Sequence, residues 1–331
     1  MLQCFELPLS GKLGNCEVSF GSWKALNREL KKLEIDGVDG IWLPTEKDPS
    51  FPNEMLIGSH IFTLWDWYDY WRNNRKELIS KFGSRRKANE FYGGDLSKFV
   101  MHYLFSLYDG IQSGAKYVSM NVCNVTFEEV HTYEWQHDDY AVMDAALEII
   151  NEILNKAEPT FDFLVQNSWW PGFTFTNPKK TEYLLSRIKY PRVGIMLNTG
   201  NLMNTNLSLR TQEDGLEYIC AMLNAHGELK QSIKGIRLSQ SLSGDYVRHL
   251  THVTKITQSM SVLPDFDTRE SLMYDNARPI DQKLPWTIPG VVRIIEKVEP
   301  EYLSHALYYN PSLVPLKRQI ATIKRGQNVR E

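Results

Sequence analysis

The stretch Phe163-Leu-Val-Gln-Asn-Ser-Trp-Trp-Pro-Gly-Phe173 decides the fold, together with Val193-Gly-Ile-Met-Leu-Asn-Thr-Gly-Asn-Leu-Met203. Each is a short apolar run that ends in side-chain amides. Gln166 and Asn167 close the first run, and Asn198 closes the second. A buried strand that stops at polar residues and is followed by a loop and a helix is typical of an α/β barrel, which presents its site at the carboxyl ends of its strands. The polar residues in these two stretches are neutral.

Composition and charge describe an ordinary globular chain. Its 331 residues are 42% hydrophobic and 23% charged, and the formal net charge is −3, so bulk charge gives no reason to expect nucleic acid or a membrane surface as a partner. No apolar run approaches roughly 18 residues, and no basic segment followed by a long apolar run opens the sequence. The four cysteines form no CxxC pair and no metal-ligand spacing. We therefore expect a cytoplasmic protein with reduced thiols.

Eight strand candidates alternate with helices along the chain. They are Leu2–Pro8, Gly37–Pro44, Met55–Phe62, Lys116–Val122, 161–166, 192–198, Ile233–Ser239 and Pro300–Leu307. Alternation of this kind implies a parallel sheet with right-handed crossovers, and eight units predict closure into a single-domain (β/α)8 TIM barrel. We expect the barrel to span residues 1–310 and the basic tail 311–331 to pack on it as an outer helix. Residues 240–285 are expected to be long and irregular.

Two charged segments have two interpretations each. Residues 72–94 are rich in Lys and Arg, which favours a solvated face, the alternative being an anion or partner site. Residues 128–138 favour a solvated capping region after strand four, the alternative being a site for a metal or a basic partner. That second segment contains Glu128, Glu129, His131, Glu134, His137 and Asp138.

Five further segments occur in a specific order and spacing: Gly114-Ala-Lys-Tyr-Val118, Val125-Thr-Phe-Glu-Glu129, Asn167-Ser-Trp-Trp-Pro-Gly172, Gly194-Ile-Met-Leu-Asn-Thr-Gly200 and Pro300-Glu-Tyr-Leu303. Together they resemble the xylose isomerase-like TIM barrels, a superfamily that includes sugar isomerases, epimerases and endonuclease IV-type repair enzymes. The resemblance runs from the first strand to about Tyr309. It implies divalent metals at the carboxyl face of the barrel, held by carboxylates and imidazoles from several strands.

The positions that the resemblance assigns to metal ligands do not hold such residues here. Where the superfamily tends to have His, Glu, Asp, His and His on strands four to seven, this sequence has Asn121, Gln166, Asn198, Asn201 and Arg237. The strand-eight Glu falls on Ala306, and the strand-three His is retained as His60.

Ligand chemistry gives this pattern a consequence. Divalent cations need anionic oxygens or imidazole nitrogens, and an amide oxygen supplies no charge. A positive charge within a few ångströms also repels a metal. We therefore predict that the metal site is absent, that no cofactor is bound, and that a neutral pocket keeps its shape, because Gln and Asn are near-isosteric with Glu and Asp. The predicted pocket residues are His60, Asn121, Gln166, Trp169, Asn198, Asn201 and Arg237.

Two alternatives to this prediction stay open. The first alternative is that one or two of these positions are misaligned, and this applies most to Ala306 and Arg237. The other alternative is a new metal site in the long segment after strand seven or beside strand one, built from His249, His252, Asp265, Asp267 or Glu6.

Competing functions follow from the same residues. The first is a pseudoenzyme, a non-catalytic binding, regulatory or partner protein whose amides and Arg237 suit a sugar-like or anionic ligand. The alternative is an isomerase or epimerase of a sugar-like substrate that is metal-independent or uses a relocated metal, with Glu6, His60 and Asp265 as candidate bases. A repair enzyme would need a metal cluster and a basic face. A protein partner would be expected on the long helix from Asp95 or on segment 62–71.

Overall fold

Eight parallel strands close into a barrel in chain order, and the last strand pairs with the first. This computed structural model describes residues 1–9, 21–42, 49–257, 266–308 and 312–328. The strands are β1 Leu2–Pro8, β2 Gly37–Trp42, β3 Leu56–Ile61, β4 Tyr117–Asn121, β5 Asp162–Gln166, β6 Val193–Asn198, β7 Ile233–Leu238 and β8 Tyr302–His305. Every strand lies inside its predicted bounds. The predicted single-domain (β/α)8 TIM barrel is confirmed.

Helices occupy the connections around the barrel. Their bounds are Trp23–Lys32, Tyr68–Trp71, Arg75–Phe82, Arg85–Phe91, Leu96–Gln112, Phe127–Thr132, Asp139–Ala157, Pro178–Leu185, Thr199–Asn204, Gln212–His226, Gly244–Thr257, Phe266–Ala277, Val292–Val298 and Val314–Asn328. Side-chain caps start several of them: the Asp138 carboxylate accepts from the amides of Tyr140 and Ala141, and Thr126 and Glu129 form a capping box. None of the helices in the described ranges is long and apolar enough to cross a membrane.

The prediction of irregular structure over residues 240–285 is wrong. Two helices, Gly244–Thr257 and Phe266–Ala277, lie within that segment. Both pack against helix Phe127–Thr132, which follows β4, and this tertiary contact favours a helical conformation that sequence periodicity does not indicate. Helix Phe266–Ala277 thereby brings Tyr274 and Ala277 to the mouth of the barrel.

Alternation along the strands sorts the barrel interior into two layers. The lower layer is a small cluster formed by Cys4, Ile57, Tyr117, Leu164, Met196 and Tyr302. Gly58 makes room for it, since a Cβ there would lie 2.0 Å from the Tyr117 ring. Successive side chains on a strand point to opposite faces, so the next inward position lies two residues further on. On β1 that position is Glu6, which stands beside Asp39 of β2 in the sheet register.

The tail helix Val314–Asn328 contacts the outside of the barrel. Leu316, Ile320 and Ile323 are buried, and the Gln319 amide donates to the Leu238 carbonyl at 3.0 Å. The division into residues 1–310 and 311–331 stays a prediction.

Helix Leu96–Gln112 carries an exposed apolar stripe on the outside of the molecule. Met101, Phe105 and Tyr108 are 37%, 49% and 38% exposed. These positions recur at helical spacing, so they lie on one face. This is the helix on which the sequence placed a surface for a protein partner.

Candidate functional site at the carboxyl end of the barrel

An ion-pair cluster fills one side of the upper layer. The Arg237 guanidinium donates to Asp39 Oδ2 from Nη2 at 2.7 Å and from Nε at 3.0 Å, and its Nη1 lies 3.5 Å from Glu6 Oε2. Ser304 also donates to Asp39 Oδ2 at 2.8 Å. Arg237 is 1% exposed and Asp39 is fully buried. The positive charge that the sequence placed among the amides is therefore balanced by two carboxylates.

Sequence reasoning missed Asp39, although a signal for it existed. The residue lies inside an otherwise apolar strand, and a buried carboxylate in a strand needs a cationic partner. The flanking glycines, Gly37 and Gly40, obscure that signal, because they favour a turn that leads into a strand.

Lys283, from the connection between β7 and β8, extends the cluster to the mouth of the barrel. Its Nζ lies 2.5 Å from Glu6 Oε1 and 4.0 Å from Asp281 Oδ2. Burial works to raise the pKa of Glu6, but Lys283 and Arg237 outweigh it and hold that pKa below its ordinary value. Burial would likewise lower the pKa of Lys283, and the Glu6 and Asp281 carboxylates raise it instead. At neutral pH, Glu6 and Lys283 form an ion pair.

A chain of amides and one imidazole forms the other side of the layer. Gln166 Nε2 donates to Asn121 Oδ1 at 2.6 Å, and Asn121 Nδ2 lies 3.3 Å from His60 Nε2. His60 Nδ1 lies 3.0 Å from Ser119 Oγ, whose own hydrogen goes to the Ser59 carbonyl. His60 therefore donates from Nδ1 and accepts at Nε2. Burial, with the nearby Arg237 and Lys283 charges, holds its pKa well below the ordinary value, so the ring is neutral.

Asn198 and Asn201 join the backbone at the carboxyl end of β5 to the backbone at the carboxyl end of β6. Asn198 Oδ1 caps the following helix by accepting from the Asn201 amide at 3.0 Å, and Asn201 Nδ2 donates to the Asn167 carbonyl at 2.9 Å. Asn167 closes the arrangement by bonding both the amide and the carbonyl of Asn198. Two buried acceptors, Gln166 Oε1 and Asn201 Oδ1, have no hydrogen-bond partner in the described part of the chain.

A cavity of about 620 Å³ opens above these groups. Its described lining is aromatic and ionic: Glu6, Pro8, Ile41, Phe62, Trp65, Trp169, Tyr274, Asp275, Ala277, Arg278, Asp281, Lys283, Leu307 and Tyr308. Of the predicted site residues, the cavity brings together Glu6 and Trp169. The other predicted pocket residues form the hydrogen-bonded layer and do not line it.

Of the residues singled out for an alternative metal site, Glu6 lines this cavity, whereas His249 and His252 do not. Asp265 lies outside the described residues, and His249 and His252 are on helix Gly244–Thr257. In segment 128–138, Asp138 caps a helix and Glu129 completes a capping box, but Glu129 is fully buried and not solvated as predicted for this segment. His137 lies 3.9 Å from both Asp69 and Glu129.

The divalent metal that the resemblance implies does not fit these donors. His60 uses both ring nitrogens, the amides of Asn121 and Gln166 bond each other, and the Glu6 carboxylate is paired with Lys283. Within the described ranges, no group of three or more His, Cys, Asp or Glu side chains is arranged to hold a metal ion.

Solved structures show what this architecture is similar to, whereas no family model and no curated protein matches the sequence. Endonuclease IV from Thermus thermophilus is 15% identical, with a TM-score of 0.51 over 98% of this chain and 100% of that one. Mannonate dehydratase from Streptococcus suis is 9% identical, with a TM-score of 0.53 over 99% and 95%. A xylose isomerase-like TIM barrel protein from Mycobacterium smegmatis, solved in complex with magnesium, is 13% identical, with a TM-score of 0.51 over 98% and 95%. The chain has the fold of the xylose isomerase-like TIM barrels.

Proposed function

We propose that this barrel is a non-catalytic binding protein, in which an internal ion-pair cluster takes the place of a metal centre. The observation that carries the proposal is Arg237. It stands where the resemblance assigns a metal ligand on strand seven, is buried, and holds Asp39 and Glu6 at hydrogen-bond and ion-pair distance. A buried guanidinium cannot lose its proton, so this cation is a permanent part of the barrel interior.

Two of the predicted bases, Glu6 and His60, are poorly suited to proton transfer. Isomerases and epimerases of sugars need a base that can take a proton next to a carbonyl. Glu6 is a weak base because Lys283 and Arg237 lower its pKa, and both nitrogens of His60 are engaged in hydrogen bonds. The cavity above them keeps the volume and the aromatic walls that a small ligand requires.

The location that we propose is the cytoplasm. The thiols of Cys4, Cys123 and Cys220 are free and buried, which supports a reducing compartment.

Metal content and turnover together test the proposal. The full-length protein is incubated with Zn²⁺, Mn²⁺, Mg²⁺ and Fe²⁺, desalted, and analysed by elemental mass spectrometry. The same samples are assayed with a panel of aldoses, ketoses and their phosphates. We expect metal far below one ion per chain and no turnover. Stoichiometric metal, or turnover that Glu6→Gln abolishes while the exposed-site variant Asp245→Asn keeps it, would overturn the proposal.

A metal-independent isomerase or epimerase is the second candidate, and one contact favours it. The Glu6 carboxylate and the Lys283 ammonium lie 2.5 Å apart on the cavity wall, which places a proton acceptor beside a proton donor. Exchange of a substrate C–H for deuterium from solvent separates the two proposals. Exchange that depends on Glu6 selects the isomerase, and its absence across the sugar panel selects the binding protein.

A further inference from the structure

We propose that the cavity at the barrel mouth binds a small organic amine, with the ammonium group paired to Asp281 and the apolar body against Trp65 and Trp169. The proposal names the ligand class of the binding protein described above and therefore rests on that function. Three features of the cavity lead to it: an unpaired carboxylate oxygen, the balance of charges, and the aromatic walls.

The unpaired oxygen is Asp281 Oδ1. It is buried and has no hydrogen-bond partner among the described residues. The other oxygen, Oδ2, lies 4.0 Å from Lys283 Nζ, which is already bonded to Glu6 at 2.5 Å. Leaving a buried acceptor unsatisfied is costly, and the cost is larger for a charged group. The Asp281 side chain lines the cavity and is 21% exposed, so a ligand with a charged N–H donor can pair with this carboxylate and reduce that cost.

The balance of charges favours a cation over an anion. The described lining holds three carboxylates, on Glu6, Asp275 and Asp281, against two cations, on Lys283 and Arg278, which leaves one excess negative charge. Beneath the cavity, Arg237 and Asp39 cancel each other. The anionic ligand predicted from the sequence depended on an unbalanced Arg237, so its physical basis is weakened.

The aromatic walls favour a ligand with an apolar or flat body. Trp65 packs against Tyr274 with ring centroids 4.1 Å apart, and Trp169 against Trp170 at 4.4 Å, so both indoles that line the cavity are held in place by other rings. Aromatic faces attract organic cations through their quadrupoles and stack on flat groups. The volume of about 620 Å³ accommodates a ring with a short aminoalkyl chain.

Three probes of nearly equal shape and different charge test the inference. Isothermal titration calorimetry of the full-length protein at about pH 8 compares 2-phenylethylamine, which is cationic there, with neutral 2-phenylethanol and anionic phenylacetate. We expect the amine to bind roughly tenfold or more tightly than either analogue, the size expected for one charged hydrogen bond.

Two variants separate pairing with Asp281 from a general charge effect. Asp281→Asn keeps the shape of the side chain and should reduce amine binding to the level of 2-phenylethanol. Asp245→Asn makes the same charge change at an exposed residue that does not line the cavity, and it should alter binding by less than about threefold. The inference is overturned if the alcohol or the carboxylate binds as tightly as the amine, if no probe binds, or if the two variants behave alike. Each of those outcomes leaves metal content and sugar turnover unchanged, so the amine can fail while the proposed function stands.

Discussion

Replacing Arg237 by Met should destabilise the protein more than any exposed ion-pair substitution. The change removes two hydrogen bonds from Asp39 Oδ2 and leaves that fully buried carboxylate with Ser304 as its remaining donor. Glu6 is less affected, because it keeps Lys283 at 2.5 Å. Breaking a buried pair by removing one partner costs about 3–5 kcal/mol, and we expect a loss of that size in the free energy of unfolding.

A second variant tests whether the loss of stability in Arg237→Met comes from the unpaired Asp39 carboxylate. Asp39→Asn combined with Arg237→Met removes both charges, and it should be about 2 kcal/mol or more stable than Arg237→Met alone. The matched control is Arg293→Met, which breaks an exposed pair with Glu217 and should cost less than about 1 kcal/mol.

Urea unfolding followed by tryptophan fluorescence measures all three variants. The midpoint reports stability provided that the dependence on urea concentration is the same in each variant. A loss below about 1 kcal/mol for Arg237→Met, or a double variant less stable than the single one, would refute the electrostatic reasoning, because the cost would then lie in packing rather than in the unpaired carboxylate.

Three further predictions concern pH. The pKa of Glu6 lies below its ordinary value. Its contribution to stability is therefore complete at pH values above the ordinary pKa and is lost as pH falls through the lowered pKa. The urea midpoint of Glu6→Gln should then change less than that of the unsubstituted protein as pH is lowered. Burial lowers the pKa of His305 to about 4, so the protein should lose up to about 3 kcal/mol as pH falls from about 6.5 towards 4, and His305→Gln should lose less over that window in the same urea assay. Burial raises the pKa of Asp281, so calorimetric affinity for 2-phenylethylamine should increase as pH rises through that raised pKa, and Asp281→Asn should show no such increase.

The barrel was predictable because its strands are separate, mostly apolar runs, of which the two clearest stop at polar residues. Phe163–Gln166 and Val193–Asn198 show this pattern in the sequence, and both form the strands it predicts. Helix Asp139–Ala157 is marked in the same way, by the capping residue Asp138 and a continuous apolar stripe. Signals of this kind are local, so they predict a strand or helix without information on tertiary contacts.

The site was less predictable because its partners are distant in sequence. Arg237 meets Asp39 across 198 positions, and Lys283 meets Glu6 across 277. Alignment to the superfamily's ligand positions identifies Arg237, and Glu6 is separately a candidate base, so the sequence predicts one member of each ion pair. It offers no reason to place Asp39 or Lys283 beside them, because neither residue stands at a position to which the resemblance assigns a metal ligand.

The buried pair of Arg237 and Asp39 also restricts how this sequence can change. A substitution at Arg237 alone leaves the buried Asp39 carboxylate without its cation, and a substitution at Asp39 alone removes two hydrogen bonds from the buried guanidinium and leaves it with Glu6. Each single step is costly, while the two changes together need not be. A related sequence that differs at both positions can be reached from this one by single substitutions only through a less stable protein. We expect the two residues to be replaced together or retained together as related chains diverge.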